Sequence, residues 1–218
     1  MIAENIQNIK AQLWNTRLVA VSKTKPNSLI QEAYDAGQTI FGENKVQELC
    51  DKYETLPKDI EWHMIGHLQS NKVKYIAPFV HLIHGVDSLK LAEEINKQAL
   101  KNNRTIRCLF QMHIADEETK FGFGSLELEK MLMSGELQKL SGIQWCGVMG
   151  MATFTEDNDK IRKEFRHLYQ IFTKLRLEHF NNEDTFSEIS MGMSGDWPIA
   201  VEEGSTLIRV GSAIFGGR

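Results

Sequence analysis

Short apolar runs rich in β-branched residues return eight times along this chain, near 18–22, 39–42, 61–65, 80–86, 106–114, 143–149, 185–191 and 206–211. Segments of helical period lie between them. "NSLIQEAYDAG" offers Asn27 and Ser28 as caps and stops at Gly37, and "DSLKLAEEINKQALKNN" spaces Leu91, Ile95 and Ala99 four apart. "DNDKIRKEFRHLYQIFTKLRLEHF" repeats Ile161, Phe165, Leu168, Phe172 and Leu175 on one side. The clear strands read as continuous apolar runs, as expected of a sheet covered on both faces. Eight such units in about 200 residues predict an α/β fold, a (β/α)₈ barrel. An extra helix at 2–14 precedes it, giving an N-terminal helical segment 1–16 and a barrel 17–218 in one domain. An open doubly wound sheet is the competitor. It usually carries a Gly-rich turn after the first strand, and here that turn is "SKTKP".

Composition removes several function classes. The chain has 218 residues, 42% hydrophobic and 25% charged, with a net charge of -4. No long basic block offers a face for nucleic-acid phosphates. No run approaches the eighteen or so apolar residues of a membrane span. The start, "MIAENIQNIKAQLW", lacks the apolar core of a secretory signal. Cys50, Cys108 and Cys146 are odd in number and far apart, against a disulfide framework or a CxxC metal site. A soluble, cytoplasmic, monomeric protein without a metal is expected.

The first strand, "LVAVS", ends on Lys23 at residue 23, with Thr24, Lys25 and Pro26 following. A solvated turn that collects lysines is the plain reading; a strand that aims one amine into a pocket is the sharper one. In a barrel of this kind, groups at the carboxyl ends of strands form the active face, and phosphate commonly binds after strands 7 and 8. Those loops read "SMGMSGDWP" and "RVGSAIFGG", each pairing glycine with serine where backbone N–H groups can hold an anion. Arg209 sits between Ile208 and Val210 in the last strand. If those two face the outer helices, Arg209 points into the barrel and needs an acid or a ligand acceptor. An amine, an inward guanidinium and a phosphate cradle on one rim suit pyridoxal phosphate, which has an aldehyde, a ring nitrogen and a phosphate.

"AVSKTKP", "FGENKVQE", "EWHMIGHLQSNK", "GVMGMATF", "SMGMSGDW" and "IRVGSAIFGGR" together resemble the signatures of the pyridoxal phosphate homeostasis family, from about residue 18 to the end. That family resembles the barrel domain of alanine racemase. The resemblance implies that Lys23 is the Schiff-base lysine and that Arg209 faces the pyridine nitrogen. Ser194, Gly211 and Ser212 hold the phosphate, and Asn44 lies near the ring. It implies a protein that binds and buffers the cofactor, with pyridoxal phosphate-dependent apo-enzymes as possible partners and no established catalysis. A racemase using the same cofactor and a cofactor-free class I aldolase with an imine on Lys23 are the alternatives. Against racemisation, the opposite face of the substrate is served in alanine racemases by a tyrosine from a second domain. The chain stops soon after the eighth strand, and Tyr34, Tyr53, Tyr75 and Tyr169 all fall in helical segments.

One departure from the family pattern is His113, which stands where an asparagine is expected and could stack on the ring or titrate there. The resemblance also places Lys120 near the active face. His63, His67, His81 and His84 are read as ordinary hydrogen-bonded histidines, since "EWHMIGH" runs from strand into loop rather than along one helix face. The methionines around 149–151 and 191–193 are read as packing near the rim.

Overall fold

A computed structural model describes residues 1–115 and 121–217. Helix α1 (Ile2–Lys10) precedes strand β1 (Arg17–Val21), and helices and strands then alternate. The first half continues through α2 (Asn27–Asp35), β2 (Ile40–Glu43), α3 (Val46–Thr55), β3 (Glu61–Met64), α4 (Val73–Ile76) and β4 (Leu82–Val86). The second half runs α5 (Leu89–Lys101), β5 (Ile106–Gln111), α6 (Ser125–Ser134), β6 (Ile143–Met149) and α7 (Asn158–Glu178). It closes with β7 (Glu188–Ser190), α8 (Trp197–Glu202), β8 (Leu207–Val210) and α9 (Ser212–Phe215). The strands pair in sequence order, all parallel, and β8 returns to β1, so the sheet is a closed eight-stranded barrel. The eight expected strands are the eight found among the described residues.

The boundaries shift where local hydrogen bonding changes. The first helix ends at Lys10 rather than 14, because Gln12 and Leu13 bond back to the carbonyls of Ile9 and Lys10, three residues away, and tighten the last turn. Strand β7 is limited to three residues, and β5 stops at Gln111, with Met112 continuing only as an isolated bridge to Phe123. Ser88 and Asp157 cap α5 and α7 with their side-chain oxygens. In α2 the cap position is Pro26, and Asn27 instead donates to the Thr55 hydroxyl at 2.7 Å.

Alternation along each strand separates two cores. Leu18, Ala20, Phe41, Ile208 and Val210 pack outward against the helices. Val19, Ile40, Leu82, Leu109, Cys146, Met149 and Leu207 fill the barrel itself. The amino-terminal ends of the strands carry charge. Arg17 on β1 and Arg107 on β5 both reach Glu188 on β7, the second at 3.6 Å. Helix α1 buries Ile2, Ile6 and Ile9 at helical spacing, and its Asn5 donates to the Ile214 carbonyl of α9 at 2.9 Å. Among the described residues no helix is long and apolar enough to cross a membrane.

Candidate functional site

Val19 and Arg209 are register partners across β1 and β8. Residues two apart share a face, so the row Val19, Val21, Lys23 runs up the inside of the barrel and leaves Lys23 at its mouth. The turn that follows is strained: Thr24 has φ 63°, a left-handed conformation that costs a non-glycine residue about 1–2 kcal/mol. A buried ionic cluster holds it. Lys52 donates to the Ser22 carbonyl, to Glu43 and to Glu48, each at 2.7 Å. The Ser22 hydroxyl donates to Glu43 at 2.6 Å, and the Thr24 amide donates to Glu48 at 2.5 Å. Burial pushes the Glu43 carboxyl up, and the Lys52 ammonium opposes that shift.

The two lysines of the turn are not equivalent. Lys25 spends its amine on the carbonyls of Phe215, Gly216 and Gly217. Lys23 is half-buried, and among the described residues no hydrogen-bond or ionic partner takes its amine. It lines a cavity of about 410 Å³ at the carboxyl end of the barrel, a volume that suits one small ligand. Asn44, Ser194, Arg209, Gly211 and Ser212 line the same cavity. All six residues singled out from the sequence therefore meet in one place. The backbone of Asn44 passes close to Gly66: a Cβ there would lie 2.5 Å from the Asn44 carbonyl oxygen.

The loop after β7 is shaped by Gly192, at φ +96°, where a Cβ would strike Ala200 at 2.6 Å. This brings Ser194 against the loop after β8, and its hydroxyl accepts from the Gly211 amide at 3.2 Å. Among the described residues, the amides of Ser194, Gly195 and Ser212 have no acceptor, and all three residues border the cavity. Three such donors beside two serine hydroxyls suit a phosphate. The Gly211 amide is already engaged, so its contribution is to let the chain turn close to Val21.

Arg209 is 4% exposed and enters the barrel as its strand neighbours require. Its partners are not carboxylates: Nη1 donates to the Ser190 hydroxyl at 2.5 Å and Nη2 to the Gly150 carbonyl at 3.2 Å. Burial pulls its pKa down to about 10, with Asp196 opposing, which leaves it cationic at neutral pH. Ser190 also meets His84 Nδ1 at 2.8 Å, and His84 Nε2 meets His63 Nδ1 at 2.9 Å. Desolvation holds both imidazoles well below their usual pKa, aided for His84 by the charge on Arg209. Nearer the floor, Glu61, His63 and His81 bring ligand-type atoms within 4.8 Å of one another. Arg107 occupies one of them, donating to His81 Nε2 at 2.8 Å.

Nothing in the sequence marks Glu43, Glu48 and Lys52 as a clamp or Ser190 as the partner of Arg209. The inward parity of Ser190 was available; the pairing of distant residues was not. His113 is half-buried and is not among the residues that line the cavity. Lys120 lies outside the described residues. Tyr34, Tyr53, Tyr75 and Tyr169 lie in α2, α3, α4 and α7, and none borders the cavity.

The model of the alanine racemase N-terminal domain matches residues 1–218. The pyridoxal phosphate homeostasis protein of Aquifex aeolicus is 40% identical over 203 residues, which cover 93% of this chain and 87% of that protein. The chain belongs to the pyridoxal phosphate homeostasis family. PipY of Synechococcus elongatus, solved without pyridoxal phosphate, superposes on it with a TM-score of 0.93 at 36% identity, covering 99% of this chain and 100% of PipY. A second PipY structure, with pyridoxal phosphate bound, gives a TM-score of 0.90 at the same identity and coverage. Relatives from Haemophilus influenzae and Vibrio alginolyticus, 38% and 36% identical, carry the same name as the Aquifex aeolicus protein.

Proposed function

We propose that this protein binds pyridoxal 5'-phosphate, with Lys23 as its covalent anchor, and holds the cofactor in reserve within the cell rather than turning over a substrate. The observation that carries the reading is that Lys23 and Arg209 line one cavity together with the amides of Ser194, Gly195 and Ser212, which are unpaired among the described residues. When bound, the cofactor supplies an aldehyde that condenses with a primary amine, with loss of water. Lys23 offers that amine, and the clamp on its turn fixes where it points. The serine hydroxyls and loop amides hold the phosphate, each charge-assisted bond contributing about 1.5–3 kcal/mol. Arg209, pinned at two of its nitrogens, would donate to the ring nitrogen and disfavour a proton there. Asn44 would lie beside the ring. A cytoplasmic monomer that yields the cofactor to apo-enzymes fits this arrangement.

Racemase turnover would need a second positioned acid or base beside Lys23. Racemisation requires proton removal on one face of a substrate carbon and delivery on the other. Lys23 serves one face, and none of the four tyrosines borders the other. A single positioned acid or base is worth about 10²–10⁴-fold. Incubating the loaded protein with L-alanine in deuterated water should therefore give at most slow exchange at Cα. Exchange with inversion at enzyme-like turnover would overturn the carrier reading.

A further inference from the structure

Four polar side chains cross the barrel interior in contact, from Arg209 on β8 through Ser190 on β7 and His84 on β4 to His63 on β3. Each is at most 4% exposed, so each proton among them must be accounted for. A guanidinium only donates, so the Ser190 oxygen accepts from Arg209. The proton of Ser190 then has one acceptor among the described residues, His84 Nδ1. If it goes there, neutral His84 carries its own proton on Nε2 and donates to His63 Nδ1. His63 in turn carries its proton on Nε2. That nitrogen is buried and has no partner among the described residues, so one group is left over.

The reverse direction is worse. Were His84 Nδ1–H to donate to Ser190, the serine proton would have no acceptor and His63 Nε2 would be left as a bare lone pair. Two buried groups would then be unsatisfied instead of one, each costing on the order of 1–3 kcal/mol. A cationic His84 is excluded by the same chain, since it would turn both ring nitrogens into donors beside the charge of Arg209.

We propose that His84 is a positioning residue for the cofactor ring: through Ser190 it fixes the guanidinium of Arg209, and the chain runs in one direction from cavity to floor. This rests on the reading that Arg209 faces the ring nitrogen. His84 commits the serine proton inward, so the Ser190 oxygen always presents its lone pair to Nη1. With Gly150 holding Nη2, the guanidinium plane is locked before any ligand arrives.

Two measurements test it. In cofactor-free protein labelled with ¹⁵N-histidine, nitrogen–proton correlations at pH 7 should show His84 and His63 both as neutral Nε2–H tautomers; an Nδ1–H on His84 overturns the chain. In titrations with pyridoxal phosphate, His84→Phe should weaken binding about tenfold and move the visible band. His84→Asn should restore both, because its Oδ1 can stand at Nδ1 and accept from Ser190. Should His84→Phe fail to fold, Ser190→Ala breaks the same link from the other side and carries the same expectation. If Arg209→Gln moves the band while His84→Phe and Ser190→Ala do not, the positioning role is wrong and the cofactor reading stands. If Arg209→Gln changes neither band nor affinity, Arg209 does not face the ring and the proposal falls with that reading.

Discussion

At the scale of single residues, the molecule's specificity rests on which polar groups are already satisfied. Lys25 is two residues from Lys23 and lines the same cavity, yet its amine is tied to three backbone carbonyls at the end of the chain. The amine of Lys23 has no such partner among the described residues. On the opposite wall the logic is the same: the Gly211 amide is engaged by Ser194, while the amides of Ser194, Gly195 and Ser212 are not. Ser194→Ala removes one hydroxyl and leaves the backbone donors. It should weaken pyridoxal phosphate binding by about 10–100-fold, one charge-assisted bond, and should leave unphosphorylated pyridoxal unaffected. Titrating both vitamers into both proteins checks this; an equal loss for the two would remove Ser194 from the phosphate site. Lys23 and Arg209 were legible in the sequence because each is a charge at the inward parity of an apolar strand. The partners of Arg209 were not, since a serine on β7 and a glycine carbonyl after β6 leave no sign that they converge on it.

At the scale of elements, the barrel places its chemistry by register. Strand β1 delivers Lys23, β8 delivers Arg209, and the loops after β7 and β8 meet at Ser194 and Gly211. Eight strands could be read because β-branched apolar runs separated by helical periods leave few other closed arrangements. What could not be read is how the first turn keeps a left-handed threonine. That depends on α3, whose Glu48 and Lys52 lie one helical turn apart and fold back over Ser22 and Thr24. In the sequence those two residues look like an ordinary exposed i, i+4 pair, and only burial against β1 and β2 makes them a clamp. Lys52→Ala would leave the Glu43 carboxylate buried without its cation. Breaking a buried pair in this way costs about 3–5 kcal/mol, so the midpoint of urea unfolding should fall steeply. A loss under about 1 kcal/mol would show that the cluster is not structural.

At the scale of the whole molecule, the barrel interior is polar at both ends, and the rings of His63 and His84 cross between them, neutral, beside the apolar filling of Val19, Leu82, Leu109 and Leu207. Their folded pKa values lie well below the 6.5 of the free ring. The unfolded chain therefore takes up protons that the folded chain refuses. Stability is complete above about pH 6.5 and falls as pH drops below it, with a slope approaching about 1.4 kcal/mol per pH unit for each ring. His81, shifted the same way, adds to this, while Glu43, whose carboxyl is raised, works against it at lower pH. Urea unfolding between pH 7 and pH 5 should show the decline, and replacing both buried rings with amides should flatten it; a level profile in the native protein would mean the rings are not held neutral. On the function proposed above, one amine at the end of one strand anchors the cofactor. Adding pyridoxal phosphate to the cofactor-free protein should produce a visible band that borohydride abolishes, and peptide mapping should then find the cofactor's mass on Lys23 alone, with no band in Lys23→Ala. Recovery of that mass on Lys25, or an unchanged band in Lys23→Ala, would contradict the account.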